Sequence, residues 1–113
     1  MVIEQVLFVE GRQDKLQILP VLDEPIEIVC TNGTVSASRL EELLAPYEGC
    51  DLYVLFDADE SGEKSRKLMK RVEPNAIHLY TRREYKQVEH TPRNYLAHIL
   101  AAEGFAVKAA YLL

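Results

Sequence analysis

The chain has 113 residues, which is the length of one domain and enough to bury a hydrophobic core without disulfides. Its formal net charge of -5 excludes a protein that binds nucleic acid by bulk positive charge, so such binding would need a local basic face. No apolar run approaches the roughly 18 residues of a membrane span, so we expect no membrane association. Cys30 and Cys50 lack metal-ligand spacing, and reduced thiols indicate the cytoplasm.

Strand-like and helix-like segments alternate along the chain. Four apolar segments, rich in β-branched and aromatic residues, are predicted to form strands: 2–9, 27–30, 52–56 and 76–80. Apolar residues at helical spacing predict four helices: 12–22, a segment capped by Ser38 and Glu41, 62–72, and one that begins at Thr91-Pro92. Pro20 should kink or shorten the first helix, and residues 106–113 are a candidate for a short edge strand. This alternation predicts an α/β domain with a mostly parallel sheet of about four strands.

Acidic residues follow two of the predicted strands. Glu10 comes after the first, and Asp57, Asp59 and Glu60 come after the third. Parallel strands end at the same edge of a sheet, so these carboxylates should meet if the first and third strands are neighbours. Like charges about 4 Å apart repel by roughly 4 kcal/mol at an effective dielectric near 20. Mg²⁺ would relieve that repulsion and keep sites for phosphate, so the pattern predicts a magnesium site that handles phosphate.

Two other interpretations of the acidic residues are open. Asp57, Asp59 and Glu60 can form a solvated loop that caps the following helix, because acids are common at helix N-termini. A domain that receives a phosphoryl group on Asp57 also has acids at its strand ends. Glu10-Gly11 after the first strand and Asn32-Gly33 after the second, on the same edge, favour the metal site.

These motifs, in this order and spacing, resemble the Toprim domain of topoisomerases, bacterial primases and several nucleases. The matching segments are Val9-Glu10-Gly11-Arg12-Gln13-Asp14, Thr31-Asn32-Gly33 and Asp57-Ala58-Asp59-Glu60-Ser61-Gly62-Glu63. They are most similar to the small bacterial Toprim group, which includes the nuclease that matures 5S ribosomal RNA. The resemblance implies one three-layer α/β/α Toprim domain over residues 1–113, with the motifs in about 2–80 and a C-terminal region at 91–113.

The resemblance also implies roles for single residues. Glu10 would be the general acid/base and part of the metal site, and Asp57 and Asp59 would bind Mg²⁺, or Mn²⁺ in its place. The remaining motif residues would support that site: Gly11, Asp14, Asn32, Gly33, Glu60 and Gly62. The topoisomerase nucleophile, a tyrosine, belongs to a separate domain, so none is assigned here.

Basic residues follow the acidic motif. Lys64, Lys67 and Arg71 share one side of the third predicted helix, and Arg82 and Arg83 follow the fourth strand on the same edge as the acids. They are candidates to bind a nucleic-acid backbone, with Tyr85 available to stack on a base. A solvated surface, balanced on the helix by nearby glutamates, explains the same charges equally well.

Two functions from different classes are consistent with these features. The first is a Mg²⁺-dependent nuclease or phosphotransferase that acts on RNA or DNA. The second is an accessory module that binds metal and nucleic acid, or a partner protein, without turnover. Net charge and small size favour the second, because they leave little surface to hold a substrate, and a homodimer would widen that surface.

Overall fold

The computed structural model describes residues 4–33 and 36–113, and the predicted start of the first strand at residue 2 lies outside them. Within these residues, parallel strands form a sheet in the order β2-β1-β3-β4. The strands are β1 Gln5–Val9, β2 Glu27–Cys30, β3 Asp51–Val54 and β4 Ile77–His78. β1 therefore pairs with both β2 and β3. The predicted α/β fold and parallel sheet are confirmed.

The helices are α1 Arg12–Ile18, α2 Ala37–Leu44, α3 Glu60–Val72 and α4 Arg93–Ala102, with 3₁₀ turns at Leu19–Val21, Ala45–Tyr47, Val88–His90 and Ala109–Leu112. Pro20 lies in the first of these turns and ends α1, which confirms that it shortens the first helix. In the parts of the chain that the structure describes, no helix is long and apolar enough to cross a bilayer.

The sheet is apolar on both faces, which gives three layers. Leu7 and Val9 point into a core that is covered by α1 and α4. Val6 and Phe8 point into a second core, covered by α2 and α3. All four side chains have no exposed surface. A strand buried on both faces is continuously hydrophobic, and this explains the uninterrupted apolar run of β1.

Apart from shifts of one or two residues at the ends of the other elements, two details of the predicted elements are wrong. α2 is capped by Ser36, whose hydroxyl oxygen accepts the backbone N–H of Arg39 at 3.2 Å, instead of by Ser38. The final segment forms a 3₁₀ turn instead of an edge strand, with one antiparallel bridge between Leu22 and Val107. The N–H of Lys108 donates to the carbonyl of Val21 at 2.8 Å, so the tail folds back onto the turn after α1.

Candidate functional site

The neighbouring strands β1 and β3 bring Glu10 and Asp57 together at their carboxyl ends. The ladder continues past β3, because the N–H of Leu55 donates to the carbonyl of Phe8 at 2.9 Å. One step further, the N–H of Asp57 donates to Oε1 of Glu10 at 3.4 Å. The expected contact between these acids, which lie far apart in sequence, is therefore present.

The Glu10 carboxyl group is held in conditions that favour its protonated form. Burial, followed by the charge of Asp57 and a side-chain hydrogen bond with it, raises the pKa of Glu10 to about 8, and Asp59 adds to the effect. A carboxyl group in a poorly solvated site next to like charges keeps a proton rather than a negative charge. Glu10 thus has a pKa close to neutral pH, where a group that moves protons is most effective.

Asp14 and Gly11 close the loop that follows β1. Gly11 is the N-cap residue of α1, and its N–H donates to Oδ2 of Asp14 at 2.9 Å. Asp14 is buried, and this burial, together with the charge of Asp57, raises its pKa to about 6. Asp14 therefore stabilises the loop that follows Glu10 through its hydrogen bond with the backbone of Gly11.

The turn after β2 holds the backbone of Glu10 from the other side. The N–H of Asn32 donates to the carbonyl of Glu10 at 2.7 Å, and the N–H of Thr31 donates to that of Val9 at 2.9 Å. Asn32 and Gly33 both have left-handed backbones, with φ of 59° and 96°. Asparagine and glycine tolerate this conformation best, which explains why this pair occupies the turn.

Asp57 and Asp59 are each anchored by one backbone N–H. The buried Asp57 accepts the N–H of Val88 on Oδ1 at 2.8 Å, and Asp59 caps α3 by accepting the N–H of Gly62 at 2.7 Å. Glu60 is the exposed first residue of α3. A Cβ atom at Gly62 would lie 1.9 Å from the carbonyl oxygen of Asp57, so glycine lets α3 begin directly against this strand end.

The donor set suits a hard cation in an open, hydrated site. Each carboxylate has two oxygens, so Asp57 and Asp59 can bind a cation as well as their backbone donors. Among the residues that the structure describes, no group of three or more His, Cys, Asp or Glu side chains is placed to hold a metal ion. Mg²⁺ normally keeps several waters and takes one or two carboxylates, so the residues present fit Mg²⁺ in this way.

A cleft of about 280 Å³ lies beside the acidic residues. The charged residues that line it are Asp59, Glu60, Glu63 and Arg83. Arg83, predicted to bind nucleic acid, thus lines the same cleft as these acidic residues. Its neighbour Arg82 is exposed and forms an ion pair with Glu84 at 3.2 Å.

The basic face predicted on α3 is present, but one arginine of that helix points inward. Lys64, Lys67 and Arg71 are exposed. Arg66 is only 2% exposed, in a stripe with the buried Gly62 and Met69. Leu68 and Val72 of the same helix are partly buried and pack against the same core as Met69. Residues 62, 66 and 69 lie on one side of a helix, so their spacing was the sequence signal that Arg66 points inward.

Arg66 joins α3 to the ends of two strands. Its Nη2 donates to the carbonyls of Phe56 at 2.9 Å and Leu79 at 2.6 Å. Its Nη1 lies 3.1 Å from Nδ1 of His78, and its guanidinium lies 4.1 Å from the ring centroid of Tyr80. Burial and the charge of Arg66 lower the pKa of His78 to about 4, so His78 is a neutral acceptor here. Arg66 therefore fixes the residue before Asp57.

Comparisons with known proteins identify relatives of the chain in sequence and in fold. No protein-family model matches the chain. The chain is 47% identical over 110 residues to the uncharacterized protein YusF of Bacillus subtilis (strain 168), a match that covers 97% of this chain and 75% of YusF. It is 48% identical to a small Toprim domain protein from Bacillus stearothermophilus, whose structure matches with a TM-score of 0.96 over 100% of this chain and 96% of the other. By this likeness in sequence and fold over its whole length, the chain belongs to the small Toprim domain proteins.

Proposed function

We propose that the protein is a Mg²⁺-dependent phosphodiesterase that acts on nucleic acid, with Mn²⁺ as a substitute metal. The observation that carries this proposal is the contact of Glu10 with Asp57, in which Oε1 of Glu10 lies 3.4 Å from the backbone nitrogen of Asp57. Together with the raised pKa of Glu10, this contact supports a protonated carboxyl group next to the aspartates that would bind the metal. Phosphodiester cleavage needs a group that moves a proton beside a cation that stabilises phosphate charge. The family membership of the chain supports the same chemistry.

In this proposal Glu10 moves the proton. The pKa of Glu10 is about 8 without metal, and a bound cation would lower it. In its protonated form Glu10 gives a proton to the oxygen that leaves the phosphate, and in its ionised form it accepts one from the attacking oxygen. The N–H of Asp57 holds its carboxyl group, and the N–H of Asn32 holds its backbone carbonyl. Asp57 and Asp59 would hold Mg²⁺, which when bound would supply positive charge to the phosphoryl oxygens.

The nucleic-acid backbone is held by local basic groups, since the chain as a whole is negative. Arg83 lines the acidic cleft and can bind a phosphate there. From Lys64 through Lys67 to Arg71, exposed cations run for about 10 Å along α3, which starts at the acidic residues. The likeness to the nuclease that matures 5S ribosomal RNA stays a prediction, and it makes structured RNA a first substrate to test.

Cleavage of labelled RNA and DNA pools, both single-stranded and structured, tests the catalytic role of Glu10. In Mg²⁺ or Mn²⁺ we expect cleavage that EDTA abolishes and that Glu10→Gln lowers by about 100-fold or more, the usual contribution of a general acid/base. Glu48→Gln is the matched control, because Glu48 is an exposed glutamate in the turn before β3, at the opposite edge of the sheet. Full activity in Glu10→Gln would refute the assignment.

Titration calorimetry with Mg²⁺ tests the metal site separately from turnover. Asp57→Asn keeps an oxygen that can accept the Val88 N–H but removes the negative charge, so we expect Mg²⁺ affinity to fall strongly. Asp51→Asn is the control on the same strand, because Asp51 is an exposed aspartate at the amino end of β3. Equal Mg²⁺ binding in both variants would exclude Asp57 as a ligand.

An accessory module without turnover is the second candidate function. The observation that favours it is that Asp59 caps α3 and that, in the described part of the chain, no three His, Cys, Asp or Glu side chains are grouped to hold a metal ion. Binding of Mg²⁺ and nucleic acid without cleavage of any pool would support this version. Either role on cellular nucleic acid would place the protein in the cytoplasm.

A further inference from the structure

The loop between β4 and the turn Val88–His90 is fastened to the acidic site by its backbone. The N–H of Ala58 donates to the carbonyl of Lys86 at 2.6 Å, and the N–H of Val88 donates to Asp57 at 2.8 Å. Lys86 has φ of 58°, a left-handed conformation that costs free energy in a residue with a side chain. The loop is therefore held in one position relative to Asp57.

The same loop builds an aromatic and cationic cluster with α4. The ring of Tyr85 lies 5.7 Å from that of Tyr95, and the Arg82 guanidinium lies 5.2 Å from the Tyr95 ring centroid. A hydrogen bond with the Tyr95 side chain is the first cause of the raised pKa of Arg82. We refer to Arg82, Tyr85 and Tyr95 as the platform.

The platform is placed at the surface rather than in a core. Both tyrosines are partly exposed, and the Arg82 side chain is 62% exposed. By contrast, Tyr53 and Phe105 form an aromatic pair, 4.7 Å apart, that is almost completely buried and belongs to a core. Tyr85 and Tyr95 belong to neither core cluster. Aromatic rings and a guanidinium at the surface offer π faces and charge to a ligand with flat rings.

The platform adjoins the cleft at Arg83, the residue that we propose binds a phosphate there. Arg82 and Arg83 are consecutive, with Cα atoms about 3.8 Å apart, and Arg83 lines the acidic cleft. A phosphate at Arg83 would thus place the attached base within reach of the platform. Bases in a duplex are stacked and paired, whereas a single strand can turn its bases onto aromatic side chains.

We infer that Arg82, Tyr85 and Tyr95 stack the bases of single-stranded nucleic acid next to the metal site. This inference rests on the proposed function, because it names the form of the substrate that the site receives. It predicts that the protein binds a single strand better than a duplex of the same sequence. The tilt of 56° between the two tyrosine rings gives them differently oriented faces, which suits unpaired bases better than a regular stack.

Fluorescence anisotropy with a short labelled single strand, and with the matching duplex, tests the inference in EDTA, where cleavage does not interfere. Tyr95→Leu should weaken single-strand binding by about 5- to 150-fold, the range measured for loss of one base–aromatic stack, and leave duplex binding unchanged. Tyr95→Phe should retain most of the affinity, because it keeps the ring. Circular dichroism checks that each variant is folded.

Arg82→Ala has a matched control in Arg39→Ala. Both arginines are exposed and pair with a glutamate, Arg82 with Glu84 at 3.2 Å and Arg39 with Glu42 at 3.3 Å. The two variants therefore lose the same charge and the same kind of ion pair. Arg82→Ala should weaken single-strand binding more than Arg39→Ala does, because Arg82 alone of the two is in the platform. Equal losses would show a general charge effect and overturn the role of Arg82.

Other outcomes decide separately whether the platform binds single strands and whether the protein cleaves nucleic acid. A wild-type preference for duplex, or unchanged single-strand binding in a folded Tyr95→Leu variant, would overturn the platform. If that variant cleaves normally and loses no single-strand affinity, the platform fails while the proposed phosphodiesterase stands. If single-strand binding depends on Tyr95 but no pool is cleaved, the platform stands and the catalytic proposal fails.

Discussion

Replacing Arg66 with methionine removes the buried guanidinium that joins α3 to the strand ends and keeps a side chain of similar length. Its hydrogen bonds to the carbonyls of Phe56 and Leu79 come from a charged donor, and such bonds contribute about 1.5–3 kcal/mol each. The Tyr80 ring, which is 53% exposed, adds about 0.5–1 kcal/mol. Relief from burying a charge offsets part of this total. We expect a loss of about 3 kcal/mol or more in the free energy of unfolding.

Urea denaturation followed by circular dichroism measures this loss. The midpoint should fall with little change in the slope, and the melting temperature should drop by about 12 °C or more. Arg71→Met is the matched control, because Arg71 is an exposed arginine on the same helix, and it should stay within about 0.5 kcal/mol of the wild type. An Arg66→Met midpoint equal to that of Arg71→Met would refute the assigned role of the buried hydrogen bonds.

Two further perturbations follow from the site. Gly62→Ala would place Cβ 1.9 Å from the carbonyl oxygen of Asp57, so it should destabilise the protein by about 1–3 kcal/mol and weaken Mg²⁺ binding. Urea denaturation and calorimetry measure the two effects, and wild-type values in both would contradict this close contact. In EDTA, stability should fall as pH rises from 6.5 to about 8, because folded Glu10 holds a proton up to its pKa of about 8, whereas the unfolded chain releases it near 4.5. The range begins at 6.5 because His78, whose pKa falls from 6.5 to about 4 on folding, has the opposite effect on stability at lower pH. Glu10→Gln should flatten that slope, and an unchanged slope in midpoints measured across this pH range would show that another group titrates.

The sheet was predictable because its strands are strongly patterned. β1 is a continuous apolar run, and such a run predicts a strand buried on both faces. The ends of helices were less predictable. Ser36 and Ser38 are both good N-cap residues, and the choice between them depends on how α2 packs on the sheet, which local sequence does not encode.

The candidate site was partly predictable for a similar reason. Parallel strands end at one edge, so the contact of Glu10 and Asp57 follows from topology once β1 and β3 are neighbours. The contact of Val88 with Asp57 joins an irregular loop to a strand end across 31 residues, and no periodic pattern marks it. Arg66 was missed because a charged residue in a basic helix is normally exposed, and its partners are backbone carbonyls that have no sequence signal.

The interior position of β1 has a consequence for how the domain folds. β1 precedes its partners in the chain, yet it needs β2 on one edge and β3 on the other before its backbone is fully paired. Both pairings are parallel and close long loops, so they are expected to form slowly and late. Until β3 has been synthesised, one edge of β1, which is apolar from Val6 to Val9, stays open to association with other chains. The residues that carry the site therefore come together in the same late step that protects the chain from aggregation.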